Sequence, residues 1–520
     1  MRRMLPGVLA VALALGVVEL LAGVWRAVPS PLDAVGQLVL PLMPGPVVAW
    51  AIAWFGTANR AVLLAGILVV ALVIGALSAA ASPRAATLAF VAAGGFGALA
   101  MLSQPGARWL PVLATLGAGV GAGLLVLAWF TRQAAADPAA APPADPAADS
   151  PADPAAAPPA DPRDPPVARR AVLQAATGVG GVALGLLVLG RWLTISRGPE
   201  VDPAGIALPA PARRRPAVSA ANRSPVTGSV PLLTPNDEFF RIDTALRVPQ
   251  PDPATWQLRI HGLVERELVL DYDELLGRRL VEADVTLACV SNEVGGELIG
   301  TARWLGVRLD ELLAEAGLRP EASQLVGRSV DGFTAGFPTA VLDDGRDALV
   351  AVGMNGEALP ARHGFPARLV VPGLFGYVSA TKWLAEIEVT TWEAFDGYWV
   401  PRGWSKQGPI KTASRIDVPR RNAQVPAGEL LVAGVAWAPT RGIAAVEVQV
   451  DDGAWQPAEL AAPLGDATWV PWWCPVTLPA GPHVLTVRAV DGQGAPQPEG
   501  PRPPAPDGAE GYHRVEVTAD

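Results

Sequence analysis

Five apolar runs crowd into the first 190 of 520 residues, and they limit what this chain can become more than any other feature. They cover residues 5–25, 61–81, 86–103, 109–130 and 171–190. Each is long enough, or nearly so, to carry a helix across about 30 Å of hydrocarbon at roughly 1.5 Å per residue. An all-α transmembrane bundle in contact with the lipid bilayer is therefore expected. Residues 37–56 are also apolar, but Pro41, Pro44 and Pro46 lack amide donors. Three such residues would leave helix carbonyls unpaired in lipid, so a surface or re-entrant segment fits better than a span.

The charge pattern then sets a topology. With four spans before residue 134, Arg2, Arg3, Arg84, Arg132, Arg169 and Arg170 all lie on the inner side of a cell membrane. The fifth span carries everything after it to the outer face. Were 37–56 to cross, the parity would flip and the C-terminal part would be cytoplasmic. Glu19, the one acidic residue inside a span, is expected near the interface rather than in a polar relay.

Composition divides the rest. Residues 134–162 hold only Ala, Pro and Asp apart from Ser150, and cannot build a core. The expected organisation is a bundle at 1–133, a disordered linker at 134–170, a fifth span at 171–190 and a tether at 191–229. An α+β domain at 230–422 and an all-β sandwich at 423–520 follow. Arg169-Arg170 before an apolar run resembles a twin-arginine export signal, with an ordinary positive-inside anchor as the rival reading. The formal charge of −9 argues against a nucleic-acid footprint, which needs concentrated Lys and Arg.

Two residue types filter the chemistry. All four histidines, His261, His363, His483 and His513, lie beyond the last span. The bundle therefore has no ligands for a bis-His haem, no C-x-x-C-H site exists, and no haem is expected. Two cysteines exclude a disulfide scaffold, a Cys₄ zinc site and a cysteine-bound iron–sulfur cluster. Cys474, in Trp472-Trp473-Cys474-Pro475, reads as core. Cys289 ends the apolar run Thr286-Leu287-Ala288 and opens the polar loop Val290-Ser291-Asn292-Glu293-Val294-Gly295-Gly296.

A thiol at such an edge has three readings. It is an inert buried side chain, a nucleophile activated by His363, or a soft ligand completing a metal already held by cofactor sulfurs. Arg362, His363, Arg368 and Lys382 surround the glycine-containing turn Pro372-Gly373-Leu374-Phe375-Gly376, with Lys411 and Arg415 beyond. Cations and backbone amides near such turns suit an anionic, phosphate-bearing ligand, which favours the third reading.

Several motifs occur in the order of a known family. Leu233 to Arg241 (LTPNDEFFR) comes first, then Thr286-Leu287-Ala288-Cys289-Val290-Ser291-Asn292 and Ala302-Arg303-Trp304-Leu305-Gly306-Val307. Asp331-Gly332-Phe333-Thr334, the run His363 to Gly373 (HGFPARLVVPG) and Thr381-Lys382-Trp383-Leu384 complete the set. Residues 230–520 thereby resemble the sulfite oxidase family of molybdopterin-dependent oxidoreductases. The resemblance implies a molybdenum–molybdopterin cofactor with Cys289 as the protein's sole metal ligand. His363, Arg368 and Lys382 would hold the pterin and its phosphate, with Asp331 and Lys411 as further cofactor contacts. It also implies an immunoglobulin-like C-terminal domain of the kind that forms homodimers. Sulfite oxidases carry an Arg-Asn-His run after the paired Phe, whereas here Arg241 precedes Ile242 and Asp243, so the anion pocket is altered.

The function expected from all this is two-electron oxygen-atom transfer on a small-molecule oxo donor or acceptor, sulfite-like or an S-oxide or N-oxide. The altered Arg241 region leans toward reduction. Cys289, Arg241, Arg303 and Tyr398 are the candidate catalytic residues, the two arginines as an anion-attracting pocket and Tyr398 as a hydrogen-bond donor. Electrons would pass to a separate protein or a quinone. The rival readings are a membrane-tethered binding module with an inert Cys289, and a thiol hydrolase using Cys289 and His363.

Overall fold

The computed structural model describes residues 4–55, 58–104, 106–135, 165–196 and 202–520. The chain divides into two compact units, Met1–Met43 with Trp50–Gly198, and Pro44–Ala49 with Pro199–Asp520.

The N-terminal region is helical: α1 (Leu5–Val24), α2 (Pro31–Val39), α3 (Gly45–Phe55), α4 (Asn59–Ala81), α5 (Pro83–Leu102), α6 (Trp109–Ala135) and α7 (Pro165–Ser196). Five stretches are long and apolar enough to cross a membrane, namely Leu5–Val24, Asn59–Ala81, Pro83–Leu102, Trp109–Gln133 and Val172–Ser196. They coincide with the five runs in the sequence. Local signals set their starts: Ser82 accepts the Ala85 N–H at 3.0 Å, and Pro83 occupies the first turn of α5. The prolines break residues 37–56 into the end of α2, a 3₁₀ turn at Leu40–Leu42 and the 11-residue α3. At roughly 1.5 Å per residue, α3 is too short to cross.

Small residues bring α1 against α7. A Cβ on Gly190 would lie 2.4 Å from the carbonyl carbon of Glu19, so only glycine permits this approach. Gly16 faces Ala183 and Gly23 faces Gly190, so the two helices run parallel.

Glu19 lies near the C-terminal end of α1. It is fully buried and accepts from the Ser30 hydroxyl at 2.7 Å and the Leu32 N–H at 3.3 Å. Arg191 bridges Ser30 at 3.2 Å and Asp33 at 2.9 Å. The start of α2 folds back onto α1 and supplies these partners, which helical periodicity alone could not reveal. Most of the Ala/Pro/Asp linker, residues 136–164, lies outside the described residues. Arg169 and Arg170 fall in the first turns of α7, and their side chains lie outside the described ones.

The second unit opens with two sheets. One has the order β2-β1-β10-β5-β6, built from β1 (Gln257–Gly262), β2 (Leu268–Asp271), β5 (Gln324–Ser329), β6 (Thr334–Pro338) and β10 (Leu384–Thr390). The other has the order β3-β4-β7-β8, from β3 (Leu280–Ala288), β4 (Ile299–Arg308), β7 (Leu349–Met354) and β8 (Glu357–Ala358), with β9 (Arg368–Val370) on β7. Short helices α8 (Tyr272–Leu276), α9 (Leu309–Ala316) and α10 (Gly376–Ser379) pack against them. A capping box starts α8: Asp271 accepts the Glu274 N–H at 2.8 Å and Glu274 accepts the Asp271 N–H at 2.9 Å.

Two further sheets close the chain. Their orders are β11-β13-β17-β16 and β12-β19-β18-β14-β15. The first comprises β11 (Ala413–Val418), β13 (Gly428–Trp437), β16 (Glu459–Leu460) and β17 (Val470–Leu478). The second comprises β12 (Ala423–Val425), β14 (Ile443–Val450), β15 (Gln456–Pro457), β18 (Gly481–Asp491) and β19 (His513–Ala519). Val432, Trp472 and Cys474 from one and Val446, Val487 and Val517 from the other share a core. Alternation along each strand turns these apolar residues inward. A helical region, an α+β part and an all-β part thus follow in the expected order.

Two boundaries differ from the sequence reading. β11 pairs with β13, so the C-terminal sheets begin ten residues before 423. The expected tether is also bound from about Ile206 onward. Ala212 donates to the Leu280 carbonyl at 2.8 Å, the Glu282 N–H reaches the Arg213 carbonyl at 2.9 Å, and Arg213 meets Asp347 at 2.5 Å. Proline-rich chain is already extended, so it can lie along the open edge of β3 with little further ordering.

Candidate active site

β3 is buried along nearly its whole length, and its last inward-held residues deliver Cys289 to the start of a closed loop. The Cys289 N–H donates to the Leu298 carbonyl at 2.9 Å, the Asn292 N–H to the Cys289 carbonyl at 3.1 Å, and the Leu298 N–H to Asn292 Oδ1 at 2.8 Å. The Ser291 N–H points at Sγ from 3.4 Å. The side chain is 9% exposed. Burial pushes the thiol's pKa up, while the Ser291 contact and the charge of Lys382 pull it back. Among the described residues no group of three or more His, Cys, Asp or Glu could hold a metal. A metal at Cys289 therefore needs its other ligands from a cofactor.

The cations converge from the segment 361–384. His363 is buried, and its Nε2 lies 2.7 Å from the Asn236 carbonyl, which can only accept; the proton therefore sits on Nε2. Burial lowers its pKa to about 4, so it is neutral at pH 7. Arg368 is 5% exposed and lies 4.9 Å over the Trp304 ring. Its hydrogen bonds go to the carbonyls of His363 (3.1 Å) and Leu369 (3.4 Å), and burial lowers its pKa to about 9. Among the described residues no carboxylate pairs with it. An unpaired guanidinium is costly to bury, and an anionic ligand removes that cost.

Lys382 sits 4.8 Å over the Trp383 ring and 2.8 Å from Asp243 Oδ2. The same oxygen accepts from Arg241 Nε at 2.8 Å. Burial alone would raise the Asp243 pKa, but Lys382 and Arg241 outweigh it and bring it to about 2. Burial brings Lys382 down to about 8 against the pull of Asp243. Asp331 accepts the Phe333 N–H at 3.2 Å. Burial raises its pKa, and it feels the charges of both Asp243 and Lys382.

Tyr398 completes the cluster. Its ring lies 5.8 Å from Phe333 and carries the Arg402 guanidinium 3.8 Å over its face. Burial raises the phenol's pKa, and the charge of Asp331 acts in the same direction. Lys382 thus pairs with Asp243 and through it with Arg241, and its charge acts on Cys289, Asp331 and His363, while the charge of Asp331 acts on Tyr398.

Two candidates fall elsewhere. Arg303 is engaged by Asp284 at 2.8 and 3.0 Å and by the Pro216 carbonyl at 2.8 Å. It fastens β4 to β3, where alternation turns it away from the Cys289 loop. Lys411 meets Glu510 at 2.7 Å, the Gly508 carbonyl at 3.0 Å and Asp507 at 3.1 Å, and so holds the C-terminal sheets. Asp243, Trp304, Arg402 and the Asn236 carbonyl were not singled out as site residues. Asp243 had a signal, as a departure from the Arg-Asn-His run, and Asn236 and Trp304 lie inside motifs that carry the resemblance. The other three owe their roles to contacts between distant segments.

These residues fit an anionic cofactor that brings its own metal: a soft thiol at a loop mouth and a buried cation without a counter-charge. The sequence profile described as the oxidoreductase molybdopterin binding domain matches residues 245–399. The chain is 30% identical over 349 residues to sulfite oxidase of Gallus gallus, covering 56% of this chain and 75% of that one. The chain belongs to the sulfite oxidase family of molybdopterin-binding oxidoreductases. Like other members of that family, it takes molybdenum–molybdopterin as cofactor. An uncharacterized oxidoreductase of Bacillus subtilis is 32% identical over 185 residues, 35% of this chain and 84% of that one. Mitochondrial sulfite oxidase of Rattus norvegicus is 31% identical over 342 residues, 55% of this chain. The chain spans 62% of the length of that rat protein.

Proposed function

We propose that this sulfite oxidase family member is a membrane-anchored molybdenum oxidoreductase that catalyses two-electron oxygen-atom transfer. The observation that carries the reading is the buried Cys289 thiol under the influence of the Lys382 charge, together with the buried Arg368, which pairs with no carboxylate among the described residues. Cys289 would ligate the metal, while Arg368, His363 and Lys382 would hold the pterin and its phosphate. The bound cofactor supplies the two-electron redox chemistry; the chain binds, orients and tunes it. Cys289 donates a single thiolate from a loop locked by its own hydrogen bonds. His363, neutral and donating through Nε2, orients the Asn236 segment against the site. The Tyr398 hydroxyl, kept protonated by burial, serves as a hydrogen-bond donor to substrate.

In oxidation, substrate and water yield the oxidised substrate, two electrons and two protons; reduction reverses this. The substrate is a small oxo acceptor or donor, sulfite-like or an S-oxide or N-oxide. A separate redox protein or a quinone carries the electrons. The parallel α1 and α7 support four crossings before the linker, and with Arg2, Arg3, Arg84 and Arg132 on the inner side this reading has the catalytic domain on the outer face of a cell membrane. We further read Arg169-Arg170 as a twin-arginine signal, suited to exporting a domain already folded around its cofactor. The C-terminal sheets are read as an immunoglobulin-like domain that forms a homodimer. The hydrolase reading loses support because no contact joins His363 to the Cys289 thiol among the described residues, and burial lowers the imidazole's pKa to about 4, too low for an effective base at neutral pH.

Molybdenum analysis tests the proposal on the full-length chain, purified in detergent from a molybdopterin-competent host. About one molybdenum per wild-type chain, with loss or an altered metal spectrum in Cys289→Ser, is expected. A well-folded wild type without molybdenum would refute it in favour of a non-enzymatic, membrane-tethered binding module.

A further inference from the structure

The loop that carries Cys289 is gripped from outside by the C-terminal sheets. Arg415, on β11, reaches back to it across 119 positions, and its Nη1 donates to the Gly296 carbonyl at 2.7 Å. Its Nε donates to Asp417 Oδ1 at 2.7 Å, and the two side chains are 7% and 8% exposed. His513, on β19, meets the same loop one residue earlier. Its Nδ1 accepts the Ile416 N–H at 3.0 Å, so in the neutral ring Nε2 carries the proton. A Cβ on Gly295 would lie 2.2 Å from that Nε2, and Gly295 has a φ of +77°, so this approach requires glycine.

A short path leads from this grip to the thiol. The Gly296 N–H donates to the Glu293 carbonyl at 2.9 Å, and a Cβ on Gly296 would lie 2.7 Å from Asn292 Oδ1. Asn292 bonds the Cys289 carbonyl through its own N–H and accepts the Leu298 N–H through Oδ1. The residues on either side of the thiol, Ala288 and Val290, share a buried apolar cluster with Val435 and Trp437 of β13 and with Trp469, just before β17. The strand leading into the loop is tied as well: the Thr286 N–H donates to the Ala467 carbonyl at 2.9 Å, and Thr286 Oγ1 accepts the Trp469 N–H at 2.7 Å.

A metal ligand must be held to about 0.5 Å, and a loop bonded only to itself opens more readily than one fastened to a packed sheet. The bond from Arg415 is charge-assisted and shielded from water, which makes it a strong fastening. We propose that Arg415 is a positioning residue which, with His513, makes the C-terminal sheets a clamp that holds the Cys289 thiol ready to ligate the metal. This rests on the ligand role given to Cys289 above, and Arg415 acts through Gly296 and Asn292 rather than on the metal.

The test uses the full-length, detergent-purified chain and its two cysteines. Metal-free protein, from a host unable to make molybdopterin, is labelled with iodoacetamide, and the Cys289 and Cys474 peptides are followed separately by mass spectrometry. Cys474 is 1% exposed in the core that the two C-terminal sheets share, so its labelling reports opening of the sheets themselves. In Arg415→Met, Cys289 labelling should rise about 10-fold or more while Cys474 stays at the wild-type rate. Arg415→Lys keeps a cation near Gly296 and should protect Cys289 better than Arg415→Met does. In molybdenum-loaded protein, Arg415→Met should shift the Mo(V) electron paramagnetic resonance signal, which is sensitive to the geometry of the sulfur ligand. Gly295→Ala pushes the loop away from His513 without altering β11 and should also expose Cys289, so the test stands even if Arg415→Met fails to fold. Cys289 labelling at the wild-type rate in these variants overturns the proposal. So does an equal rise at both cysteines, which marks general loosening, and so does an unshifted Mo(V) signal. Absence of molybdenum from the wild type would refute the ligand reading instead, while the labelling ratio would still decide whether Arg415 holds the thiol.

Discussion

Acid should loosen the second unit through two buried histidines, His363 and His513. Burial lowers each to about 4. His513 Nδ1 accepts the Ile416 N–H at 3.0 Å, so the ring cannot take a second proton without losing that bond. The positive charges of Arg415 and Arg421 oppose protonation further. The ring also packs against Gly295 in the Cys289 loop. For a histidine depressed from 6.5 to about 4, stability is complete above about pH 6.5 and lost as pH falls through 4. Near pH 5 the unfolded state holds almost one extra proton per histidine, which amounts to about 2 kcal/mol each. Asp243, at about 2, adds nothing in that window, and Lys382, at about 8, has already titrated above it. Asp331 and Asp417, raised by burial, act oppositely and regain stability as pH falls. The difference between wild type and one histidine variant cancels those terms. His513→Asn keeps an acceptor near Ile416 but cannot charge. Urea unfolding of the full chain in detergent, read by tryptophan fluorescence at pH 7.5 and 5, should show wild type losing about 2 kcal/mol more than the variant. Equal pH slopes in the two proteins would refute the argument.

Three further outcomes follow from the contacts. Arg303→Met leaves Asp284, 1% exposed, with only the longer Arg215 contact at 3.4 Å, and should cost about 3 kcal/mol in urea unfolding while molybdenum content stays at the wild-type level. Thr286→Val removes the acceptor of the Trp469 N–H, now 2.7 Å away, and should cost about 1–3 kcal/mol by the same assay. Gly190→Leu forces a side chain into the Glu19 backbone and should lower the melting temperature of the detergent-solubilised chain, with a loss of about 1–3 kcal/mol.

The long apolar helices and the Cys289 edge were legible because each is a local matter. A run of apolar residues has its length whatever it touches, and a glycine-containing polar loop after an apolar strand marks a chain reversal near the thiol. His363, Arg368 and Lys382 were legible for the same reason, since one short segment carries all three. The cations show where local reading stops. Arg303 and Lys382 look alike in the sequence, yet one lies on β4 across from Asp284 and the other faces Asp243 from 139 positions away. Lys411, a candidate cofactor contact by resemblance, is taken by Glu510, 99 positions on. The position of Glu19 on α1 was legible, but its partners Ser30 and Leu32 come from the start of α2, which folds back onto α1. A side chain's type and its place in a strand or helix are properties of its neighbours in the chain. The counter-charge that meets a cation depends on which distant segment the fold packs beside it, because electrostatic and hydrogen-bond energies depend on distance in space and not on separation along the chain.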